Sequence, residues 1–494
     1  MKISKAALTL TVVGLVGLAM AYPDADLVTS LEQMDDISFG LYSGYVPLTG
    51  TKKKLHYVAT LSRGNKLTDP IIIWFNGGPG CSSMLGFSQE NGPYALNDAD
   101  TIFRKNDYAW NQQANVIYLE SPAGVGYSVC EDPTECKFND DNSGDDNRDA
   151  VLALLQKFPE IMNNDLYIAG ESYAGIYIPK LVKRLDTFIV ANKDNKDIYK
   201  PNLKGFMVGN GVTNWKYDAD PAFVEQAYWF GIADDELYFN MKTCDYSYMN
   251  FDGDKLSDEC KGYMATLNSY MKNIQPYDLF GKCYYFPPKP SLQEGAEYLQ
   301  SDDGLTKHAN LQAEELEFRK KFRTVVDYAS FKFRNQPNYM KLKDDIHCGT
   351  YDGPLLDYFN KASVKASLKI DAAVTNFELC TTNPLFDYTM SREATFSIYQ
   401  ELTQTGKYRI LKYSGDSDGV LPTQGTQNWI RELNLKPTVA WKSWSVGGQT
   451  SGYVTEYENN FTFATIHGAG HMAPQWKRKE TYHVIFTFLA GGHL

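Results

Sequence analysis

Short apolar runs divided by glycine-rich turns and helical patterns begin near residue 52. Residues 55–61, 71–75, 114–119, 166–169 and 203–208 each form a brief apolar stretch of strand length. After the run at 166, Ile178, Leu181, Val182 and Leu185 recur at helical spacing. This alternation predicts a mainly parallel sheet joined by crossover helices. Residues 150–158 read as a helix. The acidic stretch 139–149 before it reads as a solvated loop whose carboxylates complement the positive end of that helix. From about Trp215 to Cys348 the texture changes to tyrosine, charge and cysteine without a strand signal. There Phe318, Phe322, Val325 and Val326 share one helical face, with Arg319, Lys320 and Lys321 between them as a solvated face. This stretch reads as a partly helical insertion capping the sheet. Strand-like runs return at 408–414 and 460–466.

Composition narrows the setting. A chain of 494 residues with 43% hydrophobic and 14% aromatic content can bury a large core. Its 60 acidic against 48 basic residues leave a formal charge of −12, which argues against nucleic acid as a partner, because phosphate recognition needs basic surface. Lys2 and Lys5 precede the apolar run 6–18, and Ala19-Met20-Ala21 has the small-x-small form of a cleavage site. Residues 1–21 are therefore expected to be a cleaved signal peptide. No later run is long and apolar enough to span a bilayer, so no membrane association is expected after cleavage.

In that oxidising route the eight cysteines read as disulfides, and sequence proximity suggests Cys130 with Cys136 and Cys244 with Cys260. No close cysteine pair with histidine partners exists, so neither a metal site nor any cofactor is expected. Asn460-Phe461-Thr462 is a glycosylation sequon.

The chemistry centres on Gly170-Glu171-Ser172-Tyr173-Ala174-Gly175, between the strand at 166–169 and the amphipathic helix after it. A sharp strand-to-helix turn of the G-x-S-x-G kind exposes a serine hydroxyl at a sheet's C-terminal edge, although here Ala174 stands at the second glycine. A nucleophilic serine needs a base, and the base an orienting carboxylate; in α/β-hydrolases they follow in the order Ser, Asp or Glu, His. Ser414-Gly415-Asp416-Ser417-Asp418 and Gly468-Ala469-Gly470-His471 lie in turns after strands and supply both. Asp416 competes with Asp418 for the first role, and His467 with His471 for the second. Asp416 suits holding its turn through backbone hydrogen bonds. The loop Asn76-Gly77-Gly78-Pro79-Gly80 offers one oxyanion donor and the Tyr173 amide the other.

With these residues in place, the chain resembles the serine carboxypeptidases, the family of the lysosomal cathepsin A type and the vacuolar yeast type. The matching stretches are 74–83, 120–128, 170–175, Gly209-Asn210-Gly211, 415–418 and 468–474, in order along the chain; Ala174 agrees with the family's own form of the motif. The resemblance implies an α/β-hydrolase core in two parts, 22–214 and 350–494, around a cap subdomain at 215–349. It implies a triad of Ser172, Asp418 and His471, with oxyanion donors at Gly78 and Tyr173. It implies that Asn76, Gly77, Glu90 and Glu171 hold the terminal carboxylate of a peptide, and that Met472 lines the pocket for the departing residue. It also implies the disulfides Cys81–Cys380 and Cys283–Cys348.

The expected activity is release of C-terminal residues from peptides and proteins at acidic pH, through an acyl-enzyme on Ser172. Two other readings compete: an acyltransferase using the same triad, and a stabilising partner of other lysosomal enzymes. The expected destination is the lysosome or vacuole, or secretion, and a homodimer is left open.

Overall fold

The computed structural model describes residues 22–97, 100–247, 256–272, 274–282, 353–382 and 386–494. The segment expected to be a signal peptide, the helical face at Phe318 to Val326, and Cys283 and Cys348 lie outside the described residues.

The chain builds a twelve-stranded sheet. Its strands are β1 (Leu27–Val28), β2 (Leu41–Pro47), β3 (Lys53–Thr60), β4 (Ile71–Phe75), β5 (Asn115–Leu119), β6 (Val129–Cys130), β7 (Leu166–Ser172), β8 (Leu203–Gly211), β9 (Arg409–Gly415), β10 (Pro437–Val446), β11 (Gln449–Tyr457) and β12 (Phe461–Ile466). The order across the sheet is β1-β2-β3-β5-β4-β7-β8-β9-β12-β11-β10, with β6 beside β3. From β5 through β4, β7, β8 and β9 to β12 every neighbour is parallel. The flanking pairs are antiparallel. The middle strands are buried on both faces, which is why they read as continuous apolar runs instead of alternating ones. Every residue of β4 and β5 is buried, and each large apolar side chain so placed contributes about 1.5–3 kcal/mol.

Helix α1 (Asp140–Gln156) and helix α2 (Ala174–Ala191) follow in the crossovers. Helix α1 corrects an expectation, because the stretch 139–149 is not a loop. Asn139 caps the helix in a reciprocal arrangement with Asn142, and the helix starts at Asp140. Its buried face begins with Asp140, Ser143, Gly144 and Asn147 before Ala150, Val151, Leu154 and Leu155 take over. Polar and small residues on the inner face hide the helical period from a hydrophobicity pattern.

The hairpin β10–β11 was also absent from the sequence reading. Most of β10 is exposed, so no buried run marks it. After β8 come helices α3 (Asp220–Trp229), α4 (Asp235–Met241) and α5 (Asp258–Tyr270). They enclose a small apolar cluster of their own, which includes Phe223, Leu237, Met241, Met264 and Leu267.

Candidate active site

The turn at the end of β7 places Ser172 in the left-handed region, with φ 63°. A non-glycine residue held there carries strain on the order of 1–3 kcal/mol. The Val212 amide donates to the Ser172 carbonyl at 3.1 Å and helps to hold it. Glycines at 170 and 175 make the turn possible. A Cβ on Gly170 would lie 2.1 Å from the Phe75 carbonyl oxygen, and one on Gly175 would lie 2.2 Å from that of Val212. The second glycine requirement therefore falls at 175, and Ala174 is buried where a methyl is accommodated.

The structure pairs Asp418 with His471 and Asp416 with His467. His471 Nδ1 lies 2.7 Å from Asp418 Oδ2, and both side chains are buried. Asn210 Nδ2 donates to the same oxygen at 2.8 Å, and the Val420 amide donates to Oδ1 at 2.7 Å. This arrangement directs the Nδ1 proton of His471 toward the carboxylate and leaves Nε2, which no group among the described residues engages. Asp416 and His467 form a pair on the surface side. Asp416 accepts from the Gly468 amide at 2.7 Å and lies 2.7 Å from His467 Nδ1, whose side chain is exposed. Asp416 thus ties its own turn to the turn carrying His471.

Gly77 packs directly on the serine turn. A Cβ there would lie 2.3 Å from Tyr173 N and 2.7 Å from Ser172 Cβ. Gly78 has φ 116°, a conformation open essentially to glycine. The loop is pinned from the far side by the Cys81–Cys380 disulfide and by paired backbone bonds, Ser82 N to Leu379 O and Thr381 N to Gly80 O. The disulfides Cys130–Cys136 and Cys244–Cys260 are also formed. With Tyr173 N–H as the proposed oxyanion donor, Gly77→Ala is expected to push it out of line and to lower kcat by roughly 10²- to 10³-fold. Single-turnover acylation would measure it.

A cluster of three buried polar side chains adjoins this loop. Asn76 Nδ2 donates to Glu90 Oε1 at 2.9 Å and to Glu171 Oε1 at 3.1 Å. The orientation of that amide is fixed by Trp74 Nε1 and the Gly86 amide, both donating to Asn76 Oδ1. Burial raises both carboxyls. The charge of the neighbouring Glu90 adds to the effect of burial at Glu171, which stands well above the ordinary carboxylate range. The pair therefore keeps a proton to higher pH than ordinary carboxyls do. Met472 is buried immediately after His471.

Two residues in the site carried no role in the sequence reading. Asn210, at the end of β8, ties that strand to the end of β9 and the turn after it, since its Oδ1 also accepts from the Gly415 amide at 2.9 Å. Asp140, expected in a solvated loop, is buried and accepts from Tyr173 Oη at 2.7 Å, Tyr388 Oη at 2.9 Å and the Ser391 amide at 2.8 Å. It thereby anchors the residue that follows Ser172. The only signals in the sequence were the asparagine between two glycines and the acid just after an asparagine cap. Asn460 is exposed, and its Nδ2 donates to the Gly406 carbonyl at 2.9 Å. Among the described residues no group of three histidine, cysteine or acidic side chains is placed to hold a metal ion.

A parallel sheet carrying a serine turn, a buried Asp–His pair and a glycine loop at one edge defines an α/β-hydrolase. The sequence profile of the serine carboxypeptidases matches residues 31–491. Serine carboxypeptidase-like 21 of Arabidopsis thaliana is 32% identical over 460 residues, covering 91% of this chain and 90% of that protein. Serine carboxypeptidase 1 of Hordeum vulgare is 31% identical over 490 residues, covering 96% and 94%. A solved structure, that of Kex1(delta)p, a prohormone-processing carboxypeptidase from Saccharomyces cerevisiae, shares the fold. Its TM-score is 0.68 at 19% identity, over 95% of this chain and 97% of that one. The chain belongs to the serine carboxypeptidase family of hydrolases.

Proposed function

We propose that this protein removes amino acids from the C-terminal ends of peptides at acidic pH, through an acyl-enzyme on Ser172. The observation that carries this reading is the buried cluster of Asn76, Glu90 and Glu171 beside the Ser172 turn. His471 Nε2 takes the Ser172 proton as Oγ attacks the last peptide bond, and Asp418 stabilises the resulting imidazolium. The amides of Gly78 and Tyr173 receive the developing oxyanion. His471 then returns the proton to the departing amino acid, and water enters by the reverse steps. The substrate's terminal carboxylate is held by Asn76, the Gly77 backbone and a protonated carboxyl of the Glu90–Glu171 pair, while Met472 lines the pocket of the leaving residue. Retention of that pair favours transfer to water from peptides over acyl transfer between small molecules.

Peptides with a free C-terminal carboxylate are expected to shorten stepwise, and the same peptides with a C-terminal amide to resist. Mass spectrometry of timed digests reads the ladder, and cleavage at internal bonds would overturn the proposal.

Two anionic carboxylates would repel an anionic substrate, so binding requires the cluster to retain its proton. Burial pushes Glu90 up to about 7, and burial with the charge of Glu90 raises Glu171 well above the ordinary carboxylate range, so the clamp loses charge in acid and gains it as pH rises. Peptide KM is expected to be lowest in acid and to climb as pH passes about 7. A KM that is constant between about pH 4.5 and about pH 7.5 would contradict this. Glu171→Gln, which keeps a donor without a titrating proton and removes one of the two coupled carboxyls, is expected to shift the rise while Ser172 still reacts with a phosphonofluoridate.

The amino terminus supports entry into the secretory pathway, with residues 1–21 removed and Asn460 glycosylated. No helix among the described residues is long and apolar enough to cross a membrane. The insertion between β8 and residue 350 is the cap in this reading, and the residues on either side form the core.

A further inference from the structure

Past helix α5, residues 274–282 stay joined to the small helical cluster through Ile274 and Leu279 and lie across the turns that carry Asp418 and His471. Gly419 N donates to Pro276 O at 3.0 Å, and Leu279 N donates to Ser417 O at 2.9 Å, so the segment brackets Asp418 on both sides. His471 N donates to Tyr277 O at 2.6 Å. The Tyr277 ring stands edge-on to the His471 ring, with centroids 5.3 Å apart. Asp278 is buried, and its Oδ1 accepts from Ser417 Oγ at 2.6 Å and from the Phe280 amide at 3.3 Å. Ser417 itself is fully buried between Asp416 and Asp418. The fit against the histidine turn is close, since a Cβ on Gly470 would lie 2.2 Å from Tyr277 O and 2.5 Å from Asp278 Cβ.

We propose that residues 276–279 are a clasp that sets the spacing of the Asp418 and His471 turns, with Asp278 as its side-chain anchor and a positioning residue for the triad. The two turns leave neighbouring parallel strands and contain Gly415, Gly419, Gly468 and Gly470. Glycine lets them fold tightly but gives them little intrinsic rigidity. One short segment donates to or accepts from both of them, and does so at the residue before Asp418, the residue after it and His471 itself. A buried carboxylate is costly unless hydrogen bonds compensate, and Asp278 finds its donors in Ser417 and Phe280, with the charge of Lys477 nearby. Because the clasp belongs to the insertion, the seating of the insertion on the sheet is coupled to the geometry of the proton-transfer pair.

The proposal rests on the assignment of Ser172, Asp418 and His471 made above, and its test separates the two. Asp278→Ala is expected to lower kcat by about 10- to 100-fold with KM held within about twofold, as misplacement of reacting groups does. Asp278→Asn keeps an acceptor for Ser417 Oγ and is expected to recover activity to within about threefold of wild type. Ser417→Ala, which deletes the donor, is expected to lower kcat about tenfold, and it decides the matter if Asp278→Ala does not fold. An unchanged kcat in the folded alanine variants, a loss confined to KM, or an asparagine variant as slow as the alanine one would overturn the clasp. The rate of Ser172 phosphonylation by a fluorophosphonate is measured alongside. A wild type that phosphonylates at Ser172 yet trims no peptide would break the carboxypeptidase reading, and the clasp would still be decided by the phosphonylation rates of the variants.

Discussion

Ser172→Ala is expected to reduce kcat for C-terminal release by roughly a million-fold, with KM changed only a few-fold. The reason is local. The strained turn at Ser172 presents its hydroxyl at the end of β7, where the Gly77 backbone packs against Ser172 and the Tyr173 amide. In the proposed mechanism, removing Oγ eliminates the acyl-enzyme and leaves only attack by water, aided by whatever oxyanion stabilisation the Gly78 and Tyr173 amides still provide. The proposed carboxylate clamp of Asn76, Glu90 and Glu171 is untouched, so peptide binding is expected to persist. A catalytically dead variant that still binds peptide is therefore expected, and isothermal titration at acidic pH measures the retained affinity. Residual activity within a hundredfold of wild type would mean that Ser172 is not the nucleophile.

Asp418→Asn is expected to lower kcat by about 10⁴-fold. At Asp418 Oδ2 two donors converge, His471 Nδ1 and Asn210 Nδ2, while the Val420 amide donates to Oδ1. A carboxylate satisfies all three, but a carboxamide satisfies them in neither orientation. With its NH2 toward His471 it turns that residue into an acceptor at Nδ1, which moves the ring proton to Nε2 and blocks uptake of the Ser172 proton. With its oxygen toward His471 it sets its NH2 against the Val420 N–H and no longer balances the imidazolium. The buried mismatch is expected to cost about 1–3 kcal/mol of stability as well. The diagnostic result is a large loss of kcat with a small fall in melting temperature. A large fall in melting temperature with kcat preserved in the folded fraction would assign Asp418 a structural role.

The central strands were legible because they are buried on both faces, and the run at 166–169 sat directly before the serine turn. The structure extends that strand to Ser172, and it likewise carries β8 on to Gly211. Glycines and polar residues at these strand ends interrupt the apolar run without interrupting the ladder. Helix α1 and the hairpin β10–β11 were hidden for opposite reasons. One buries polar side chains, and the other exposes most of its length.

Within the site, the choice between two aspartates and two histidines was open on local grounds alone, since all four stand in the turns after β9 and β12. The resemblance assigns Asp418 and His471. The fold sets the turns side by side as a buried pair, Asp418 and His471, and a pair toward the surface, Asp416 and His467, and the burial of the first supports the proposed triad.

By itself the sequence determined the chemistry that is contiguous along the chain. It showed the serine turn, the glycine loop and the order of nucleophile, acid and base, because each is a run of residues whose backbone requirements are written in neighbouring side chains. Tertiary structure alone decided what depends on partners far apart in the chain. Asp140 meets Tyr388 across 248 residues, Asn210 meets Asp418 across 208, and Ser417 meets Asp278 across 139. No local period records such contacts. A buried polar group is satisfied by whichever donor or acceptor the folded sheet brings to it.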